Sequence, residues 1–188
     1  MPTADPLSAL RQATSAQHAV LDSSLPLARP DADLRAYVDH LRMLAQWLRP
    51  IEAWLGCFDD GPQAPGLLPP LPRLARIEAD LAEAGAAEMD NAAAAPWPHA
   101  ASAAYRWGVV YVVEGSQLGG AVLHQRLAAQ LAPHRLGYLK GSPDGPGPRW
   151  RMVTTALREQ LRSEADIADA CAGAREAFAR ILRARQHD

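Results

Sequence analysis

The spacing of apolar residues along the chain predicts helices. From Leu7 to Leu21, apolar and small residues recur every three or four positions, which is the period of one helix face. A longer pattern of the same kind runs from Leu34 to Leu55 and contains Pro50, where a kink is expected. Three further helical patterns follow, at residues 74–85, 150–162 and 166–185. Gly85 ends the first of these and is expected to act as its C-cap.

The segments between these patterns have the composition of loops. Residues 56–72 and 139–149 are rich in proline and glycine, which favour turns. No internal repeat occurs, and no segment has the composition of a linker between domains. The sequence therefore predicts one all-α domain over residues 1–188.

The stretch WGVVYVVEGSQLGGAVLH, residues 107–124, permits two interpretations. It is either a strand followed by a phosphate-binding turn, or a helix with one bare face. A strand needs partners, and no other segment clusters β-branched residues as a second strand would. The glycines also match neither the G-x-G-x-x-G pattern nor a glycine followed by lysine and serine or threonine. The helical interpretation is therefore favoured.

Glycine is costly in such a helix. Gly108, Gly115 and Gly119 are spaced by seven and four residues, so they share one face, and Gly120 lies beside them. Each glycine in a helix interior costs about 0.5–1 kcal/mol relative to alanine. Close approach of a second helix would explain this arrangement, and so would a ligand on the bare face. The spacing leaves both explanations open.

Composition and charge exclude several classes of protein. Of the 188 residues, 48% are hydrophobic and 21% are charged, as in ordinary globular domains. A net charge of -2 without a basic tract argues against nucleic acid as a partner. The longest apolar run, Trp107 to Val113, is far shorter than the roughly 20 residues of a membrane span. With no signal peptide and only Cys57 and Cys171, a cytoplasmic protein with free thiols is expected.

Among the six histidines, His18 has the most suggestive neighbours. No histidine has a glutamate three residues before it, which disfavours a carboxylate di-iron site. Arg11 lies seven residues before His18 and Asp22 four residues after it, so the three share a helix face. Asp22 is placed to hold one ring nitrogen of a metal-binding histidine, and Arg11 to meet an anionic group of the same ligand. An ordinary row of ion pairs with a partly exposed histidine is the alternative.

Two stretches together resemble the heme oxygenase family. They are LRQATSAQHAVLD at residues 10–22 and YVVEGSQLGGAVL at residues 111–123. The resemblance is closest to bacterial members, some of which supply biliverdin to phytochromes, and it extends loosely over roughly residues 7–162. It implies a helical bundle that holds heme between the first, proximal helix and a kinked, glycine-rich distal helix.

The resemblance also implies which residues form the site. The implied heme contacts are Arg11, His18, Asp22, Tyr111, Gly115, Gly119, Gly120 and Arg151. His18 would be the axial ligand of the heme iron, supported by Asp22, while Arg11 would face a heme propionate. A second basic propionate contact aligns with Thr155, and Arg151, one turn earlier, is the better candidate.

Catalytic roles are implied for three residues of the distal helix. Gly115 and Gly119 would let the backbone pass close to the heme. Ser116 stands where mammalian members have an aspartate that organises water in the pocket, and bacterial relatives often have serine there too. Ser116 is therefore expected to hold water in this chain.

The implied reaction is oxidative cleavage of heme to biliverdin, with release of CO and ferrous iron. Heme b would be substrate and cofactor, together with O2 and an external reductant. Because no flavin or nicotinamide motif is present, a ferredoxin or a reductase is the expected electron donor, and a bacterial phytochrome is a candidate acceptor of biliverdin. Two alternatives stay open: a heme-binding protein for storage, delivery or sensing, and a heme-free helical scaffold.

Overall fold

The computed structural model describes residues 5–86 and 95–185, and every regular element in these ranges is helical. The α-helices are α1 (Pro6–Ser24), α2 (Leu34–Leu55), α3 (Arg73–Glu83), α4 (Ala103–Leu127), α5 (Gly137–Lys140), α6 (Gly147–Gln160) and α7 (Glu164–Arg185). The helical interpretation of residues 107–124 is confirmed, since they lie inside α4. The short helix α5 was not predicted, because four residues are too few to show a period.

Local sequence explains where several helices begin and end. Asp5, Asp33 and Ser102 each accept a hydrogen bond from the backbone N–H three residues later, which caps α1, α2 and α4. Gly85 follows the end of α3 with a φ of 67°, the left-handed conformation that favours glycine. Its predicted role in ending that helix is confirmed. Pro50 lies inside α2, which continues through it.

Helix α7 is the centre of the bundle and contacts α1, α2 and α4. The side chains of Gln17 from α1 and Trp47 from α2 each donate a hydrogen bond to a backbone carbonyl of α7, both at 3.0 Å. These bonds satisfy polar groups that would otherwise be costly to bury. No helix in the described ranges combines the length and apolar character needed to cross a membrane.

The contact between α4 and α7 is made by backbone. A Cβ atom added to Gly108 would lie 1.8 Å from the carbonyl oxygen of Ala170, and one added to Gly173 would lie 2.1 Å from that of Tyr105. Glycine at both positions is therefore what allows the two helices to cross so closely. Of the two explanations left open for the glycines, close approach of a second helix applies to Gly108, which is buried against α7.

A buried carboxylate joins α2, α3 and α5. Asp80 of α3 accepts hydrogen bonds from the Tyr37 hydroxyl at 2.5 Å and from the backbone N–H groups of Gly137 and Tyr138 at 3.0 and 2.7 Å. The last two are unpaired donors at the start of α5, so Asp80 acts as a cap supplied from another helix. This tertiary cap explains how so short a helix is held in place.

Substitutions to alanine are expected to divide the glycines into two groups. Gly108→Ala and Gly173→Ala should lower the free energy of unfolding by about 1–3 kcal/mol or more, because the added Cβ overlaps backbone. Gly119→Ala should be neutral or stabilising by up to about 1 kcal/mol, because no atom of another element in the described part of the chain lies within 4 Å of its Cβ position. Urea unfolding of the heme-free proteins measures both effects. Equal destabilisation at all three positions would contradict this division.

Stability is also expected to depend on His40. Burial lowers the pKa of His40 to about 4, and its Nδ1 has no hydrogen-bond partner within the described residues. The unfolded chain takes up a proton near pH 6.5 and the folded protein does not, so stability falls as the pH drops from about 6.5 towards 4. Between pH 7 and pH 5 the expected loss is about 2 kcal/mol, and His40→Asn should reduce it. The same substitution at the exposed His99 is the control. An unchanged pH dependence in His40→Asn would rule out His40 as the cause.

Candidate functional site

His18 and Asp22 lie one turn apart on an open face of α1. The Nδ1 atom of His18 is 2.9 Å from Oδ2 of Asp22, and the two side chains are 61% and 63% exposed. An ionised carboxylate only accepts hydrogen bonds, so Nδ1 is the donor in this pair, and in a neutral imidazole the lone pair is then on Nε2. The ring of Phe178 from α7 meets the His18 ring edge-on, with centroids 5.8 Å apart. The contact predicted from helix spacing is thus present, and it leaves Nε2 ready to bind a metal.

Arg11 of α1 meets Tyr111 of α4. Burial raises the pKa of the Tyr111 hydroxyl, while the charge of Arg11 and a hydrogen bond from it act in the opposite direction. Arg11 itself is exposed, so its guanidinium can also pair with an anion of a ligand. The structure therefore brings together two of the predicted site residues, one from each helix.

The three later glycines of α4 have different surroundings. A Cβ added to Gly115 would lie 3.6 Å from the ring of Trp150, and one added to Gly119 would meet no atom of the other described elements within 4 Å. Gly119 is exposed, and Val122, three residues later, is 66% exposed. Gly120 is buried against Leu139 of α5, which is a packing contact, and its predicted heme contact stays a prediction. The open part of the helix is therefore centred on Gly119.

Ser116 is held within α4 and next to α5. Its hydroxyl donates a hydrogen bond to the carbonyl oxygen of Val113 at 2.7 Å. It lies close to the phenol of Tyr138, and the neighbouring Gln117 donates a hydrogen bond to that phenol oxygen at 2.9 Å. The role of Ser116 in holding water stays a prediction.

Arg151 and Thr155 are exposed residues of α6. The guanidinium of Arg151 lies beside Gly147, one turn earlier in the same helix. Its charge is available to solvent, and its predicted contact with a propionate stays a prediction.

The sequence did not predict a buried ionic cluster that lies next to the glycines of α4. Glu114, the residue before Gly115, is 6% exposed and accepts two hydrogen bonds from Arg149 of α6, both at 2.8 Å. Arg73 of α3 forms an ion pair with the same carboxylate at 2.6 Å. Burial alone would raise the pKa of Glu114, but these two arginines outweigh burial and hold the pKa below its ordinary value. No spacing along the chain signals this cluster, because its members come from three separate helices.

Glu52 of α2 lies at the edge of this cluster. Its carboxylate is 3.9 Å from Arg73. Burial raises the pKa of Glu52; Arg73 opposes the rise, and the negative charge of Glu114 adds to it. The cluster therefore links α2, α3, α4 and α6 through charge.

The sequence of this chain is similar to that of known heme oxygenases. The family model for heme oxygenases matches residues 5–185, nearly the whole chain. The chain belongs to the heme oxygenase family. A heme oxygenase from Xanthomonas campestris pv. campestris is 43% identical over 84 residues. That stretch is 44% of this chain and 50% of the relative, so the match spans half of the relative's length.

The fold agrees with this family. The crystal structure of the NO- and CO-bound heme oxygenase from Neisseria meningitidis aligns with 98% of this chain and 92% of its own, with a TM-score of 0.76 and 22% sequence identity. At this identity the alignment shows the fold alone. The predicted all-α, single-domain heme oxygenase fold is confirmed.

Asp22→Asn tests whether Asp22 tunes the proximal histidine. The amide oxygen of asparagine still accepts from Nδ1 but carries no charge, so Nε2 becomes a weaker donor to metal. Loss of such a carboxylate partner typically costs about 10–100-fold in affinity, and a heme titration should show a decrease in this range. Asp39→Asn removes an exposed helix carboxylate from α2 and serves as the control. Wild-type heme affinity in Asp22→Asn would show that Asp22 has no such role.

Proposed function

We propose that this heme oxygenase family member cleaves heme oxidatively to biliverdin, releasing CO and ferrous iron. The observation that carries the proposal is the exposed His18, whose Nδ1 is held by Asp22 so that Nε2 is free. On α4, the exposed Gly119 has no atom within 4 Å of its Cβ position, which suits close approach of backbone to a flat ligand. An oriented imidazole and a stretch of helix that is open at Gly119 are the two surfaces that heme needs.

Different residues are proposed to bind the iron and the propionates of heme. His18 would ligate the heme iron through Nε2, as a neutral imidazole. Arg11 is proposed to pair with a propionate, and the hydroxyl of Tyr111 lies next to Arg11 to orient it. Arg151 is proposed as a second propionate contact on the strength of its charge and exposure. Bound heme supplies the iron that activates O2 and the porphyrin that is oxidised.

Residues of α4 are proposed to control the oxygen side of the heme. Gly115 and Gly119 bring helix backbone close to the ligand, which restricts the space for O2 and excludes bulk water. Ser116 donates its hydroxyl hydrogen to the carbonyl oxygen of Val113, so its Oγ lone pairs are free to accept a hydrogen bond from a water molecule. A water held at that oxygen would be the proton source.

Electrons must come from outside the chain. We propose a ferredoxin or a reductase as the donor, because the sequence contains no flavin or nicotinamide motif. The resemblance to bacterial members that serve phytochromes makes a phytochrome a candidate acceptor of the biliverdin. Mixing the purified chain with each donor in turn, under air, would identify which one supports turnover.

Heme binding without turnover is the second candidate. One observation favours it: the Ser116 hydroxyl donates to its own helix, at the carbonyl oxygen of Val113, where mammalian members have a charged aspartate. A serine holds pocket water more weakly than a carboxylate does. A storage, delivery or sensing protein would bind heme through His18 without oxidising it.

An aerobic turnover assay separates these functions. The heme-loaded protein is reduced under air, and heme loss, biliverdin and CO are measured. Biliverdin and CO formed in equal amounts would support the oxygenase, whereas a histidine-ligated heme that survives would support the second candidate. His18→Ala is expected to lose the histidine-ligated spectrum and turnover. An unchanged spectrum in that variant would mean that another histidine is the ligand.

The role of Gly119 can be tested by side-chain size. Gly119→Leu is expected to slow turnover or to change which meso carbon is oxidised, because the side chain would enter the space beside α4. Gly119→Ala is the matched control and should retain more activity. Product analysis of the heme-loaded proteins is compared with thermal melts of the heme-free proteins. A Gly119→Leu protein that melts far below wild type yet gives the normal product would indicate that this glycine serves packing.

A further inference from the structure

The glycine segment of α4, defined here as residues 115–120, is a weak point in the helix. Three of its six residues are glycine, the least favourable residue in a helix interior after proline. Gly119 has no side chain to pack, and no atom of another described element lies within 4 Å of its Cβ position. The position of this segment must therefore be fixed by contacts on its other sides.

Arg149 holds the residue that precedes the segment. Its Nε and Nη2 atoms donate to the two oxygens of Glu114, at 2.8 Å each. This two-point pairing fixes orientation as well as distance. The remaining Nη1 donates to the carbonyl oxygen of Pro69 at 2.6 Å, so the guanidinium is also held by the loop before α3. Arg73 approaches the same carboxylate from α3.

Trp150 holds the first residue of the segment. Its ring lies 3.6 Å from the Cβ position of Gly115, and its centroid is 5.4 Å from that of Tyr111. Arg149 and Trp150 are consecutive in α6, and Glu114 and Gly115 are consecutive in α4. Two adjacent residues of one helix therefore contact two adjacent residues of the other, one by charge and one by ring packing.

We propose that Arg149 and Trp150 are positioning residues that fix the glycine segment of α4 relative to bound heme. Arg149 acts through Glu114, and Trp150 acts through Gly115 and Tyr111. The inference rests on the proposed function, since the segment is taken to restrict oxygen on one side of the heme. Because the position of the backbone decides which porphyrin edge is accessible, these two residues influence which biliverdin isomer forms.

The first test needs no heme. Arg149→Met removes the two-point contact while Arg73 still balances the charge of Glu114, so this variant is more conservative than removing Glu114. Arg106→Met is the matched control: Arg106 is a buried arginine at the other end of α4, paired with Asp60. Amide hydrogen exchange is measured along α4 in both heme-free proteins. Arg149→Met should speed exchange in residues 115–120 by about tenfold or more, and Arg106→Met should leave it within about twofold of wild type.

The second test uses the heme-loaded protein. Arg149→Met and Trp150→Leu are expected to change the ratio of biliverdin isomers, Arg149→Lys to restore it in part, and Arg106→Met to leave it unchanged. Lysine keeps the charge but cannot make the two parallel hydrogen bonds, so a purely electrostatic role would be restored completely. If Arg149→Met does not fold, Arg149→Lys takes its place in the exchange measurement.

The outcomes separate this inference from the proposed function. Wild-type exchange in residues 115–120 of Arg149→Met, or a wild-type isomer ratio despite faster exchange, would overturn the positioning role. If the wild-type protein forms no biliverdin, the proposed function fails. The exchange measurement then decides by itself whether Arg149 fixes the segment.

Discussion

The backbone contact between α4 and α7 is the constraint on which the rest of the structure depends. Gly108 and Gly173 allow each helix to approach the main chain of the other, with no room for even one added carbon atom. Such a contact fixes the crossing point of the two helices. Because α1 and α2 also pack on α7, this crossing determines where α1 presents His18 in relation to α4. The separation of α1 and α4 is thus set by two glycines buried between helices.

Helix α4 uses glycine for two different purposes along its length. At Gly108 the missing side chain gives room to α7, whereas at Gly119 it leaves the surface open. The stretch between them changes from buried to exposed, since Val109 and Val113 are in the core and Gly119 is exposed. A single helix therefore takes part in the core at one end and has an open surface at the other.

The open part of α4 is held on its buried side mainly by polar contacts with α3, α5 and α6. Glu114 is bound by two arginines, and Gln117 donates a hydrogen bond to the phenol of Tyr138. Burying an ion pair has a desolvation cost, so such a cluster is a poor source of stability compared with apolar packing. Its advantage is directional, because a carboxylate bound at both oxygens by one guanidinium has little freedom to shift or rotate. That property suits a helix whose open part, at Gly119, has no side chain that could fix its position by packing.

The sequence by itself determined the features that depend on near neighbours in the chain. Helical periodicity and capping involve residues three or four apart, so all the helices except α5 were predictable, as was the contact between His18 and Asp22. The family motifs also lie within single helices, which is why the family could be predicted from two short stretches. Tertiary structure alone decided which glycine meets another helix and which stays open, since Gly108 and Gly119 are equivalent by spacing. It also assembled Glu114 with Arg73 and Arg149, and Asp80 with α5, because these contacts join residues that come together only when separate helices pack.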